Sequence, residues 1–365
     1  MNEELKKSLL ERNNKIINVV LNEIEKKCPN TIDLIGIAGS FCNGTFYEKS
    51  DLDLVIIAND IEKSKVISKC FIMNGVGFDI YISSWDHFKT MSQYNNQYVT
   101  KLKKLDIVYT KNDEVLNRYE MYQKELNKNM NDSKRIKAKV NRFYSLIESK
   151  YKRLLEIKDK NDYYRLLGSI TSYMNNIVYM MNKEYVHGSS KNTIEEMSNM
   201  NIPDNYIENY KILFTSTNIE KINYVLKKLI WSIKLYYDLE DINAIDYIPN
   251  YKIRSKISSK ELTGTYEELF SNYYNKLYHA VDINNRYLSF RTMVDAQEFF
   301  DDLYEVYDIP KIDFVGKYNP NDLKANAIVF EKVLNEWKKI YDSFDKEIEI
   351  YSDVDDIYKG RSKSK

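Results

Sequence analysis

TIDLIGIAGSFCNGTFYEKSDLDLVIIA, residues Thr31 to Ala58, decides how the rest of this chain is read. Ile32 to Ile37 is an apolar run of strand length, and Ala38-Gly39-Ser40 is a turn of small residues. A polar loop follows, and Asp51 opens a second apolar run through Asp53 and Leu54-Val55-Ile56-Ile57. Side chains alternate faces along a strand, so Asp51 and Asp53 point the same way while Leu52 points into a core. Two carboxylates side by side repel unless positive charge lies between them. Hard oxygen ligands in this arrangement suit Mg²⁺.

The turn supplies a complementary feature. Gly39 lets the backbone approach a ligand closely, and Ser40 adds a hydroxyl beside exposed N–H groups that suit phosphate oxygens. A phosphate cradle facing paired carboxylates describes phosphoryl or nucleotidyl transfer. Each half alone is a common short motif, a tight turn or a solvent-facing Asp-x-Asp; their order on two predicted strands is what carries the reading.

Gly39-Ser40, Gly44 and Ser50-Asp51-Leu52-Asp53, with the apolar run after them, resemble the signature of the polymerase-beta-like nucleotidyltransferase superfamily. The spacing is most similar to that of the small bacterial aminoglycoside and lincosamide nucleotidyltransferases. The likeness is good over 31–58, extends to about 117, and beyond that is only a general one, to a helical partner domain. It implies that Gly39, Ser40, Gly44 and Ser50 hold the triphosphate of a nucleotide such as ATP, and that Asp51 and Asp53 hold Mg²⁺. It also implies a third carboxylate on a neighbouring strand, as metal ligand or acceptor of the substrate proton. Asp79 fits that place: it follows the turn at Gly75 and Gly77 and opens the run Ile80-Tyr81-Ile82, with Asp33 on the first strand a weaker competitor. Many members carry Arg just before the loop glycine, where this chain has Asn43, so charge neutralisation would shift to the metal and to Lys or Arg elsewhere.

Composition bounds the class. The chain has 365 residues, 43% of them hydrophobic, enough for two ordinary domains. Lys+Arg and Asp+Glu are both 54, a balance that tilts against a long nucleic acid as the main partner. Cys28, Cys42 and Cys70 form no pairing or CxxC pattern, which suggests a reducing cytoplasm. Cys42 reads as a small filler in the phosphate-loop region rather than a nucleophile. The charged start, MNEELKKSLLERNN, does not read as a signal peptide, and no apolar run approaches the ~20 residues needed to span a bilayer.

The expected fold is α+β. A mixed sheet with helices occupies 1–117, an all-helical bundle 118–345 with a break near 241–263, and a charged, disordered tail 346–365. Helices are predicted over 4–27, 61–73, 84–104, 164–181, 222–233, 265–307 and 321–345 from apolar spacing of three and four. The basic run Lys134, Arg135, Lys137, Lys139 and Arg142 reads as a solvated face, and His87 as a surface or capping residue. Arg286 and Arg291 are candidates to reach the triphosphate. Glu184, Glu195, Glu196, Asp295 and Glu298 are candidates to receive a cationic acceptor, an amino-sugar antibiotic by analogy with the family. A homodimer is also in keeping with the resemblance. Two alternatives stand beside this reading: transfer to tRNA or protein, and a silent nucleotide-binding scaffold.

Overall fold

The computed structural model describes residues 3–188, 190–244 and 262–359. It is α+β, with two small sheets and many helices. In chain order the first part contains α1 (Glu3–Lys27), β1 (Ile32–Ile37), α2 (Gly39–Asn43), β2 (Leu54–Ala58), α3 (Ile61–Ser64), β3 (Lys69–Met73), β4 (Val76–Ile80), β5 (Ile82–Ser83), α4 (Trp85–Ser92), α5 (Thr100–Lys103) and β6 (Asp106–Thr110). The helical part follows as α6 (Asp113–Asn131), α7 (Ser133–Leu154), α8 (Lys160–Met181), α9 (Thr193–Ser198), α10 (Tyr206–Thr215), α11 (Ile219–Tyr236), α12 (Thr265–Leu269), α13 (Asn275–Asp282), α14 (Arg286–Val306) and α15 (Leu323–Ser343). A short strand, β7 (Ile350–Tyr351), returns to the second sheet. Asn and Asp open most of the long helices: Asn112, Asp132, Asp159, Asn218, Asn285 and Asp322 each accept a backbone N–H from the first turn.

The first sheet runs β5-β2-β1-β6, antiparallel except for the β2–β5 pair. Its central strands are buried on both faces, which is why they read as unbroken apolar runs. Leu34, Val55 and Ile57 join the core that continues through the helices, while Ile35, Leu54 and Ile56 join a second core. That second core contains Ile16, Ile17 and Val20 of α1, and Phe71 and Phe78 of the other sheet. A central strand pair with this alternation can exist only if both faces are covered.

Four expectations differ from the structure; one is the predicted helix over 84–104, which is broken at 93–99 between α4 and α5. Only Ile61–Ser64 of the predicted helix over 61–73 is α-helical; Lys69–Met73 is a strand, paired with β4 through the Asn74-Gly75 turn. Both turn residues have positive φ, 52° and 72°, the conformation that an Asn-Gly hairpin demands. Residues 346–359 of the expected disordered tail are ordered: β7 pairs with β3, and Tyr351, Val354 and Ile357 are buried in the second core; 360–365 lie outside the described residues. Finally, position 117 falls inside α6, whose Val115, Tyr119 and Tyr122 belong to the same core as the sheet residue Val55 and the bundle residue Met174. The core therefore crosses the expected boundary without a break.

Pro249, Lys252, Arg254, Lys256 and Lys260 of the expected basic break lie outside the described residues. Among the described residues no helix is long and apolar enough to cross a membrane.

Candidate functional site

Because β1 and β2 are antiparallel neighbours, the end of the first and the start of the second meet at one edge of the sheet. Ala38 N–H donates to Asp53 O at 2.9 Å there. Gly39 follows with φ +69°, and a Cβ on it would lie 1.8 Å from Asp53 Oδ2. Glycine is thus required twice at this position, by its backbone angle and by the carboxylate pressed against it. Gly39 and Ser40 begin α2, where the first N–H groups of a helix lack partners within it.

Gly39, Ser40, Ser50, Asp51 and Asp53 line a single cleft of about 170 Å³. Tyr47 and Lys49 complete the loop side, and the opposite wall comes from the helical part: Lys191, Ser271, Asn272, Lys276 and His279. The roles expected of the motif residues separate here. Gly44 ends α2 in the left-handed conformation, is exposed, and does not line the cleft. Ser50 is buried and closes the turn by accepting the Tyr47 N–H at 2.9 Å, while its carbonyl takes Arg12 Nη2 at 2.7 Å. Asn43 folds back onto Gly39 O at 3.0 Å and brings no charge.

The cleft's positive charge comes from elsewhere. Lys191 Nζ donates to Thr45 O and lies 5.7 Å from the centre of the Tyr47 ring. Tyr47 stacks on His279 with centroids 3.8 Å apart. Lys276 acts electrostatically on Asp51. Lys49 lies within the motif loop, but no spacing rule could have found Lys191, Lys276 or His279, which reach it from more than a hundred positions away.

Burial raises the pKa of the Asp51 carboxyl, the charge of Asp53 raises it further, and Lys276 and Ser271 pull in the other direction. Ser271 Oγ lies 3.1 Å from Asp51 Oδ2 and 3.0 Å from Gly77 O. Its single hydroxyl proton therefore serves one of two acceptors. Arg12 also acts on Asp51; burial lowers its own pKa to about 10. A half-buried carboxylate pair without full compensation fits a divalent cation. Among the described residues no three His, Cys, Asp or Glu side chains are gathered as a metal-binding group. A cation held by Asp51 and Asp53 would thus complete its shell with phosphate oxygens and water, the ordinary habit of Mg²⁺.

Asp79 stands on β4, in the second sheet. The chain changes sheets at Tyr81, and Ile82 then pairs with Ile56. Asp79 and Asp53 each precede that pair by three residues in the chain, outside β5 and β2 themselves, and the Asp53 charge is felt at Asp79. Burial is the main cause of the raised Asp79 pKa; Cys70 Sγ, donating at 3.2 Å, and Lys101 oppose it. Lys101 itself rests against Tyr81, its Nζ 3.2 Å from the phenol oxygen. Beyond Asp79 lies Glu268, pushed up to about 7 by burial and by Asp79. Tyr273 then feels Asp295, Glu268 and Glu298 together.

The remaining candidates are engaged elsewhere. Asp33 accepts Trp85 Nε1 at 2.8 Å and Asn59 Nδ2 at 2.6 Å, at the opposite end of β1. Arg286 Nε donates to Pro320 O at 3.0 Å. Arg291, 8% exposed, donates to Gly168 O at 3.0 Å and pairs with Asp295 and Glu298. Glu196 accepts Tyr179 OH at 2.7 Å and the N–H groups of His187 and Gly188; Glu184 pairs with His187 at 2.9 Å. Glu195 is exposed on α9. His87 is half-buried, and burial lowers its pKa. Cys42 Sγ lies 2.9 Å from Ile37 O, and burial pushes its thiol up to about 11. Both that burial and the neighbouring Asp106 carboxylate disfavour its thiolate.

A scan against protein-family models finds no match for this chain, and a search of curated proteins finds none either.

Proposed function

We propose that the chain is a Mg²⁺-dependent nucleotidyltransferase that moves a nucleoside monophosphate, AMP from ATP, to a hydroxyl of a small cationic molecule of the amino-sugar antibiotic kind. The observation that carries this reading is the convergence of Gly39, Ser40, Asp51 and Asp53 on one cleft whose opposite wall bears Lys191 and Lys276. The bend at Gly39 and Ser40 receives the β- and γ-phosphates, and the two lysines offset the charge that an arginine at position 43 would otherwise meet. Mg²⁺, when bound by Asp51 and Asp53, would polarise the phosphate oxygens and neutralise charge developing on them.

In the transfer, the acceptor oxygen bonds to the α-phosphorus, the bond to the β-phosphate oxygen breaks, and pyrophosphate leaves. Asp79 lies on β4 outside the cleft lining but within electrostatic reach of Asp53, and it is the base to which this reading assigns the acceptor proton. Asp79 and Glu268 add negative charge that would favour a cationic acceptor over the phosphate backbone of tRNA, whereas Asp295 and Glu298 are already paired with Arg291.

Incubation with labelled ATP or GTP, Mg²⁺ and a panel of aminoglycosides, lincosamides and tRNA tests this. Pyrophosphate release that depends on one small acceptor is the expected outcome. Release with tRNA alone supports the second enzyme reading, and binding without release supports the silent scaffold. Asp53→Asn should abolish turnover with an unchanged circular dichroism spectrum.

A further inference from the structure

The helix that runs from Thr265 to Asp282 is interrupted by one wide turn with i to i+5 bonding, Phe270–Tyr274. Such turns add a residue to a helix face and frequently accompany functional sites. This one brings Ser271 against the strand that carries Asp79. Ser271 is 8% exposed. A Cβ on Gly77 would lie 2.7 Å from Ser271 Cβ and 2.9 Å from its backbone, so only glycine permits the contact. Asn275 Nδ2, one turn later, donates to Gly75 O at 3.2 Å and fastens the same helix to the same hairpin. Of the two residues, only Ser271 also reaches a cleft carboxylate, Asp51 Oδ2 at 3.1 Å.

From this geometry we infer that Ser271 is a positioning residue that fixes the Asp51 carboxylate for cation binding, so that the metal site is complete only with the helical layer in place. The inference rests on the nucleotidyltransferase reading for the identity of the cation. The hydroxyl, anchored by Gly77 O on one side and in reach of one Asp51 oxygen on the other, limits rotation of the carboxylate whenever its proton turns to Asp51. Loss of such an outer partner typically weakens metal binding by 10- to 100-fold. The wide turn also sets the phase of Asn272, Lys276 and His279, which line the same cleft. One helix therefore delivers both the support for the carboxylate and part of the positive wall.

The test is titration of the full chain with MnCl₂ alone, followed by calorimetry and by the electron paramagnetic resonance of free Mn²⁺. Wild type should bind, Asp51→Asn should not, and Ser271→Ala should bind about tenfold or more weakly. Asn275→Ala, which breaks the neighbouring helix–hairpin contact without touching Asp51, should bind as wild type. In turnover assays Ser271→Ala should need more Mg²⁺ for half-maximal rate and regain its kcat at saturation. Equal affinity of Ser271→Ala and wild type, with Asp51→Asn silent, would overturn the positioning role and leave the transferase reading intact. Equal weakening by Asn275→Ala would also overturn it, by reducing the effect to general packing. Unaltered binding in Asp51→Asn would instead remove the metal assignment itself.

Discussion

At the scale of single residues, the site keeps a carboxylate where the fold alone would rather have none. Asp51 has a raised pKa in the folded state, from burial first and from Asp53 second. Its proton is therefore bound more tightly in the folded than in the unfolded chain. Stability from this group is present at low pH and is lost as pH rises from the ordinary carboxylate range, near 4, through the raised value. Asp51→Asn removes that penalty, so its melting temperature at pH 8 should exceed that of wild type, by the equivalent of about 1 kcal/mol, while turnover disappears. Equal melting temperatures at pH 8 would show that Lys276 and Arg12 already compensate the charge. Gly39→Ala should fail differently, losing activity through the displaced Asp53 and about 1–3 kcal/mol of stability through the positive φ. Gly39, Ser40, Asp51 and Asp53 were legible in the sequence because one short antiparallel connection brings them together. Ser271, Lys276 and Lys191 were not, since their approach depends on tertiary packing that no local spacing encodes.

At the scale of elements, charge on a segment concealed its role. Residues 346–359 are rich in Asp, Glu and Lys, yet Tyr351, Val354 and Ile357 recur at intervals of three and turn inward. The backbone also participates: Ile72 N–H donates to Glu349 O at 2.7 Å, and Glu349 N–H to Glu267 Oε1 at 2.7 Å. Glu267 is buried, so this bond ties α12 to the returning strand. Truncation after Asp345 removes three buried apolar side chains, each worth about 1.5–3 kcal/mol. The expected outcome is a loss of several kcal/mol in urea unfolding, together with weaker Mn²⁺ binding because α12 leads into the turn bearing Ser271. An unchanged urea midpoint would mean that the segment merely rests on the sheet. The misread helix at 61–73 has a related cause. Its apolar residues Phe71, Ile72 and Met73 fit a short strand as well as a helix, and the Asn74-Gly75 turn was the stronger signal.

At the scale of the whole molecule, the cleft exists because one core runs from the first sheet into the helices. The fold class could be read from strand runs followed by long helical periodicities, but a boundary at 117 could not express a shared core. Two lysines on the helical wall follow from this arrangement, one in the 3₁₀ turn at Ser190–Asn192 and one on α13. Burial lowers the pKa of Lys191, yet its ammonium keeps a carbonyl partner at Thr45 and an aromatic face at Tyr47. If the cleft takes a triphosphate as proposed, both ammonium groups on its wall would attract it, and the attraction should be sensitive to salt. Lys191→Ala and Lys276→Ala should each raise the KM for ATP about tenfold, by removing an ion pair of about 1.4 kcal/mol, and weaken AMP much less. The double variant should lose most of the salt dependence that the wild type shows. Calorimetric titration with ATP and AMP at two salt concentrations measures both effects. Equal losses for AMP and ATP would place the lysines near the nucleoside, and the triphosphate would then have to lie along the opposite, Asp-lined side of the cleft.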